Sequence, residues 1–369
     1  MEIGIISFTA RGAELCCRLA DALSRDAAEC TGYVPKRFWN TYCNEDRAAC
    51  LDQTLAQWTK AMFDSRKAMV FVGAAGIAVR AIAPFVRDKM TDPPVVVVDE
   101  AGQFAIPVLS GHVGGANALA RRIADCLHAV PVITTATDVN GLFAVDVFAA
   151  ENGLALTDRD MAKKVSAGLL DGEPVGFFND FDCRSQADGG AADGNTLPLP
   201  QGCIRELCEI NIWITVKCRW QEEDAGNMRI PAARFLRLIP RAVTVGVGCR
   251  RGISLAALEQ QVKAVFDRQG IDLSSVKALA TIDVKKDEPG LLALAERYGW
   301  DLRLYSAKEL AEVLGEFRES AFVKQTVGVG NVCERACLAG GGRLLFGKEA
   351  GAGVTVAAAV ENVRWSASN

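Results

Sequence analysis

Histidine is scarce in this chain, with two residues among 369, and several kinds of sequence feature are missing. No uninterrupted apolar run reaches the roughly 18 residues of a membrane span, so we expect none. The N-terminus lacks the basic stretch and cleavage site of a secretory signal. A net charge of −4 provides no overall positive field for nucleic acid. We therefore expect a cytoplasmic protein that binds neither membranes nor nucleic acid.

Motifs for metals and nucleotides are missing as well. The chain has 13 cysteines but no C-x-x-C, and the pair Cys333 and Cys337 supplies too few thiols for a zinc site. In a reducing compartment such cysteines are more often small buried hydrophobic residues than disulfides. Neither G-x-G-x-x-G nor G-x-x-x-x-G-K-[ST] occurs, which disfavours a dinucleotide or P-loop site. The sequence therefore predicts no metal site.

Short apolar strands alternate with helical patterns through the first 150 residues. The run Ala68–Val72 indicates a strand, and the continuous β-branched run Val95–Val98 is typical of a strand buried on both faces. This alternation predicts a parallel sheet with helices on both faces. Ligands of such sheets bind beyond the carboxyl ends of the strands. We expect three segments at or near such ends: Gly73, 110–115 and 134–138.

The pattern changes twice further along the chain. Between residues 151 and 240 it loosens, and the Gly/Asp-rich run 188–195 indicates an exposed loop. Strands and helices resume at Ala242, where Ser254 is placed to cap a helix and 326–329 is expected to be a strand. The predicted fold class is α/β. It has two parallel-sheet α/β domains, residues 1–150 and 241–369, joined by a small, less regular α+β middle domain, residues 151–240.

The stretch SGHVGGAN at residues 110–117 is the most informative motif. A glycine-rich turn precedes a helix, and the first N–H groups of a helix lack intrahelical partners and favour an anion. The turn contains His112, whose side chain can act as acid or base near neutral pH. A lone histidine is, however, usually structural. The candidate binding residues in this stretch are Ser110, Gly111, Gly114, Gly115 and Asn117.

Polar residues follow in the segment PVITTATD at residues 131–138. The hydroxyls of Thr135 and Thr137 and the carboxylate of Asp138 favour polar contacts with a ligand. Asp138 either holds a ligand proton or caps the next helix. His128, at the end of the preceding helix, is expected to be a C-terminal cap.

In the third domain, the turn containing Gly248 carries Arg250 and Arg251. Two guanidinium groups at a helix start oppose the helix dipole, so they are unfavourable for stability there. Their presence is explained either by capture of a carboxylate or phosphate or by a solvated loop. Glu334 lies three residues after Asn331 and is expected to form a cap rather than to act in catalysis. Lys348, in the last glycine loop, is by default an ordinary exposed lysine.

Several of these motifs resemble one known family. The segments 71–80, 108–117 and 131–138 are similar to the N-terminal part of the cobalt-precorrin-5A hydrolase (CbiG) family of anaerobic cobalamin biosynthesis. The segments 246–252, 306–309, 328–334 and 347–357 resemble its C-terminal domain. The likeness covers almost the whole chain in the same order. It departs at 331–336, NVCERA, where a more alanine-rich helix start is expected.

The resemblance implies hydrolysis of the ring-A δ-lactone of cobalt-precorrin-5A, release of acetaldehyde and formation of cobalt-precorrin-5B. His112 is the first candidate for general base or acid, and Glu334 is the second. Arg80, Arg250 and Arg251 are candidate clamps for the substrate carboxylates, and the helix-start donors of 114–117 could bind a carboxylate or the oxyanion.

The resemblance also bears on cofactors and partners. Cobalt is carried by the substrate, so no cofactor of the protein's own is expected. The partner is an anionic tetrapyrrole; a homodimer and transient contacts with neighbouring pathway enzymes are left open. Two alternatives remain, a non-catalytic tetrapyrrole-binding accessory protein and a flavodoxin-like oxidoreductase. The sequence lacks the phosphate-loop composition that a flavodoxin-like oxidoreductase requires.

Overall fold

The computed structural model describes residues 2–25, 29–42, 48–88, 91–112, 114–181, 197–220, 234–363 and 365. They form two compact units, residues 1–147 and 148–369. The predicted loop at 188–195 lies outside the described residues. Among the described residues, no helix is both long enough and apolar enough to span a membrane.

The first unit is built on a seven-stranded sheet with the order β3-β2-β1-β4-β5-β6-β7. Its strands are β1 Glu2–Ser7, β2 Glu29–Pro35, β3 Ala48–Leu51, β4 Ala68–Val72, β5 Val95–Val98, β6 Phe104–Leu109 and β7 Val130–Pro131. Its helices are α1 Ala10–Ser24, α2 Lys36–Tyr42, α3 Leu55–Asp64, α4 Ala75–Ile82, α5 Ala116–Leu127, α6 Ala136–Val139 and α7 Val145–Glu151, the last of which continues beyond residue 147.

The central strands of this sheet are buried on both faces. On β4, Val70 and Val72 join the apolar cluster beneath α1 and α5, whereas Met69 and Phe71 join the cluster beneath α3 and α4. Successive side chains of a strand point to opposite faces, so a continuous apolar run supplies two cores. The predicted α/β sandwich is confirmed here.

The direction of β6 corrects the expected position of the glycine-rich turn. β6 runs antiparallel to β5, with Leu109 opposite Val95. The connection between the two strands is residues 99–103, which is too short for the helical crossover that a parallel pair needs. It is a tight turn in which Asp99 Oδ1 accepts hydrogen bonds from the backbone N–H groups of Gln103 and Phe104, at 2.7 and 2.6 Å. Residues 110–115 therefore lie at the edge where β5 begins. Gly73, which follows β4, lies at the opposite edge.

The second unit contains two five-stranded sheets, with the orders β10-β9-β11-β12-β8 and β15-β14-β13-β17-β16. The strands of the first are β8 Leu154–Leu156, β9 Val175–Asn179, β10 Cys203–Ile204, β11 Ile210–Ile214 and β12 Arg234–Pro240. Those of the second are β13 Val243–Cys249, β14 Val276–Ile282, β15 Asp301–Tyr305, β16 Arg343–Gly351 and β17 Val354–Val360. The helices are α8 Arg159–Asp171, α9 Leu255–Gln269, α10 Pro289–Tyr298, α11 Ala307–Glu312, α12 Ala321–Val327 and α13 Cys333–Leu338.

Both of these sheets contain mostly strands that run in one direction; β8 pairs antiparallel with β12, and β17 pairs antiparallel with both β13 and β16. The mixed α/β fold class is thus confirmed for the second unit as well. The division into three domains stays a prediction, because the sheets form three groups whereas the packing forms two units.

The segment 326–329 was expected to be a strand, and this is wrong. Ser320 caps α12, where its hydroxyl accepts from the N–H of Val323 at 3.5 Å. Val323 and Val327, four residues apart, pack in one apolar cluster, as a helix requires. Gly328, with φ +85°, ends the helix.

The cysteines divide into two kinds. Ten described cysteines are free thiols, and burial raises the pKa of Cys16 to about 12, as expected of a small hydrophobic residue. Cys17 is disulfide-bonded and thus departs from the expectation that such cysteines are more often small buried hydrophobic residues than disulfides.

Candidate active site around His112

The glycine-rich turn folds its carbonyl groups back onto the start of α5. The backbone N–H groups of Gly115, Ala116 and Asn117 donate to the carbonyls of His112, Ser110 and Gly111, at 2.8, 3.1 and 2.9 Å. Three of the donors expected to receive a carboxylate or the oxyanion, the N–H groups of 115–117, are therefore already satisfied within the turn. This corrects the interpretation of the motif as an anion-binding helix start.

Close packing explains the glycines of the turn. A Cβ atom on Gly114 would lie 2.3 Å from Cβ of Ser110, and one on Gly111 would lie 2.8 Å from Asn117 Oδ1. Ser110 itself has φ +55°, which is uncommon outside glycine, and its hydroxyl donates to the carbonyl of Asp92 at 2.8 Å. The turn thus fixes the backbone that carries His112.

The imidazole of His112 lies among polar side chains of α6 and α7. Its Nε2 atom lies 2.9 Å from Asp138 Oδ2 and 3.0 Å from Thr137 Oγ1. Its Nδ1 atom lies 3.8 Å from Asp146 Oδ2. A histidine between two carboxylates can accept a proton and donate it again, as general acid–base catalysis requires.

Asp138 is itself held firmly. Arg121 Nη2 donates to its Oδ1 at 2.6 Å, and Asn117 Nδ2 donates to its Oδ2 at 3.0 Å. Asn117 Nδ2 also lies 2.8 Å from Thr135 Oγ1. Asp138 therefore pairs with groups outside α6 rather than capping it. Of the predicted site residues, His112, Asn117, Thr135, Thr137 and Asp138 come together.

The charges of this cluster shift one another's pKa. Asp146 and then Asp138 raise the pKa of His112 above its ordinary value, although burial acts in the opposite direction. Burial tends to raise the pKa of Asp138, but Arg121 and His112 outweigh it and lower that pKa. Burial likewise tends to raise the pKa of Asp146, but the neighbouring His112 outweighs burial and lowers that pKa. The arrangement favours an imidazolium beside two carboxylates.

Two members of the cluster were not predicted from the sequence. Arg121 lies one helical turn after Asn117 on α5, so its spacing could have placed it on the same face. Asp146 carried no such signal, because an irregular connection separates α6 from α7. His128 is confirmed as the C-cap of α5, with φ +55°.

Glu334 has the contacts of a structural anchor in the second unit. Its buried carboxylate accepts from the backbone N–H groups of Lys348, at 2.6 Å, and Arg318, at 3.3 Å, and from the side-chain amide of Asn331. Asn331 Oδ1 in turn accepts from the N–H of Glu334 at 3.0 Å, but the N-cap of α13 is Val332, so the two residues bond each other without forming the expected Asn/Glu cap. The structure thus joins Asn331, Glu334 and Lys348.

The predicted arginine clamps lie on exposed positions. Arg250 and Arg251 follow β13, and neither guanidinium is paired with a carboxylate among the described residues. The N–H of Arg250 donates to the Gly353 carbonyl at 3.1 Å, and the carbonyl of Gly248 accepts from Thr355 Oγ1 at 3.1 Å.

Arg80 behaves differently from those two arginines. Its guanidinium donates to the carbonyl of Gly76 in its own helix, at 3.2 Å. No described contact joins Arg80 to the His112 cluster.

Comparison with known proteins identifies the family. The model described as Cobalamin synthesis G N-terminal matches residues 57–138, Cobalamin biosynthesis central region matches 143–240, and Cobalamin synthesis G C-terminus matches 243–359. A relative from Salmonella typhimurium, named cobalt-precorrin-5A hydrolase, is 38% identical over 282 residues, 76% of this chain and 78% of that protein. The chain belongs to the CbiG family.

A second CbiG relative extends this match along the chain. The cobalt-precorrin-5A hydrolase of Priestia megaterium is 30% identical over 364 residues, which are 97% of this chain and 95% of that protein. The resemblance seen in the motifs is therefore confirmed. The CbiG N-terminal match includes His112 and Asp138, whereas Asp146 lies in the central match.

Proposed function

We propose that this protein is a cobalt-precorrin-5A hydrolase that opens the ring-A δ-lactone and releases acetaldehyde, giving cobalt-precorrin-5B. The observation that carries the proposal is the identity of 30% along 97% of the chain to a relative of that name. The acetaldehyde comes from C20 and its methyl group, so a carbon–carbon bond breaks after the ester is hydrolysed.

His112 supplies the proton transfers that lactone opening needs. A base removes a proton from water as the water oxygen bonds to the lactone carbonyl carbon. The ring C–O bond then breaks, and its oxygen takes the proton from the imidazolium. His112 suits both steps, since its imidazole is partly exposed and Asp138 fixes one of its nitrogens. Asp138 thus acts as a positioning residue.

The substrate supplies the remaining chemistry. When His112, neutral again after protonating the ring oxygen, takes the proton of the C20 hydroxyl, the oxygen becomes the aldehyde carbonyl and the electron pair of the broken carbon–carbon bond passes to the conjugated macrocycle. Cobalt enters as part of that substrate. The exposed guanidinium groups of Arg250 and Arg251, which pair with no carboxylate in the part of the chain that the structure describes, suit its peripheral carboxylates.

The test is anaerobic turnover of cobalt-precorrin-5A by the purified protein, with the tetrapyrrole product and trapped acetaldehyde measured by mass spectrometry. Wild-type protein should yield both products, His112→Ala should yield neither, and His128→Asn should behave as wild type. Tetrapyrrole binding without lactone opening would instead identify an accessory binding protein. Full acetaldehyde release by His112→Ala would exclude His112 from catalysis.

A further inference from the structure

The two nitrogens of His112 have different surroundings. Nε2 lies within hydrogen-bond distance of Asp138 and of the buried hydroxyl of Thr137. Nδ1 makes no hydrogen bond within the described residues, and Asp146 Oδ2, 3.8 Å away, is beyond that distance. The Asp146 side chain is 29% exposed, against 17% for Asp138. The carboxylate beside Nδ1 is therefore the more exposed of the two.

The partners of Asp138 determine which nitrogen carries the proton. Arg121 and Asn117 donate to its carboxylate and, with His112, keep it ionised. An ionised carboxylate can only accept, so the Nε2 atom beside it must donate. In neutral His112 the proton then lies on Nε2, and the free lone pair lies on Nδ1.

We infer that Nδ1 of His112 accepts the proton of the attacking water and that Asp146 Oδ2 holds the same water. The inference rests on the proposed function and names the atoms that carry out its first step. Two atoms 3.8 Å apart can each hydrogen-bond to one oxygen placed beside both of them. One O–H bond of the water breaks toward Nδ1 while its oxygen bonds to the carbonyl carbon. The other O–H donates to Asp146.

The backbone directs Asp146 toward this position. Its Oδ1 accepts from the N–H of Val147 at 3.0 Å, which leaves Oδ2 turned toward His112. The charged groups that face the imidazole are Asp146 on α7 and Asp138 on α6, with Arg121 on α5 behind Asp138. Asp146 contributes most to raising the pKa of His112, so its removal should lower that pKa.

Histidine-selective ¹⁵N NMR tests the proton position without any substrate. The chain has two histidines, and His128→Asn assigns their signals, since asparagine tolerates the left-handed backbone there. Neutral His112 should carry its proton on Nε2. In Asp146→Asn the His112 titration should move to lower pH, whereas Asp125→Asn, an exposed charge change on α5, should not move it. A proton on Nδ1 overturns the inference, whatever the fate of the variants.

Kinetics test the role of the carboxylate. Asp146→Asn should lower kcat for lactone opening by about 100-fold, within the range of general-base catalysis, and leave KM little changed. The rate should also reach half its maximum at lower pH than in wild type. Asp125→Asn should match wild type in both respects. An Asp146→Asn protein with wild-type kcat and pH profile overturns the inference, while a wild-type protein that opens no lactone overturns the proposed function instead.

Discussion

His112 Nε2 lies 2.9 Å from Asp138 Oδ2, although the two residues are 26 positions apart in the chain. The contact requires the turn after β6 and the short helix α6 to meet at one edge of the sheet. It also occupies Nε2 of the imidazole and leaves Nδ1 for the proton transfer inferred above. The consequences for stability and activity can be measured.

The first prediction concerns the pH dependence of stability. The pKa of folded His112 lies above its ordinary value of 6.5, so the folded state holds the proton more tightly than the unfolded state. The resulting stabilisation is complete below about pH 6.5 and is lost as pH rises through the folded pKa. His112→Gln should therefore lower Tm more at pH 6 than at pH 9.

Thermal melts across this range provide the measurement, and His128→Asn, which retains His112, should keep the wild-type pH dependence. If His112→Gln lowered Tm equally at both pH values, the ion pairs with Asp138 and Asp146 would contribute nothing to stability.

The second prediction concerns the packing of the turn. Alanine at Gly114 would place Cβ 2.3 Å from Ser110 Cβ and 2.7 Å from the Ser110 carbonyl oxygen. Overpacking of this kind costs about 1–3 kcal/mol, and here it also displaces the backbone that carries His112. Gly114→Ala should lower both Tm and kcat.

Gly76→Ala is the matched control for this packing. A Cβ atom there would meet only the guanidinium of Arg80, at 3.4 Å, and alanine suits the helix. Wild-type activity in both variants would show that the geometry of the turn does not matter for turnover.

The third prediction concerns Arg250 and Arg251. If their unpaired guanidinium groups bind substrate carboxylates, replacing either by alanine should raise KM about tenfold, with kcat little changed. The dependence of KM on ionic strength should also weaken.

Arg268→Ala serves as the control, because Arg268 already pairs with Glu349 Oε2 at 3.3 Å on the surface of the same unit. Unchanged KM in both arginine variants would favour the solvated-loop interpretation.

The fourth prediction separates anchoring from catalysis at Glu334. A glutamine there would turn an amide donor toward donors of Lys348, Arg318 or Asn331, which costs about 1–3 kcal/mol at a buried site. Glu334→Gln should therefore lower Tm, while kcat per folded molecule stays near wild type. Glu312→Gln, on an exposed position of α11, should change neither. A normal Tm with lost turnover would make Glu334 a catalytic residue.

Much of the fold followed from local patterns. The continuous apolar runs at Ala68–Val72 and Val95–Val98 match β4 and β5 residue for residue, because a strand buried on both faces needs apolar side chains at every position. The cap at Ser254 was also correct, since a hydroxyl beside a helix start acts through neighbours in sequence. The strand predicted at 326–329 was wrong because Val327 lies one helical turn after Val323 on α12, and Gly328 ends that helix.

The sequence by itself determined the family and the α/β class and selected His112 as the candidate acid or base, because these depend on motifs and periodicities within short segments. Only the tertiary structure decided how those segments meet. It turned β6 against β5, used the first N–H groups of α5 within the turn, and brought Arg121 to Asp138 and Asp146 to the imidazole. Such contacts join residues on separate elements, so their hydrogen bonds and charges depend on packing that no local pattern encodes.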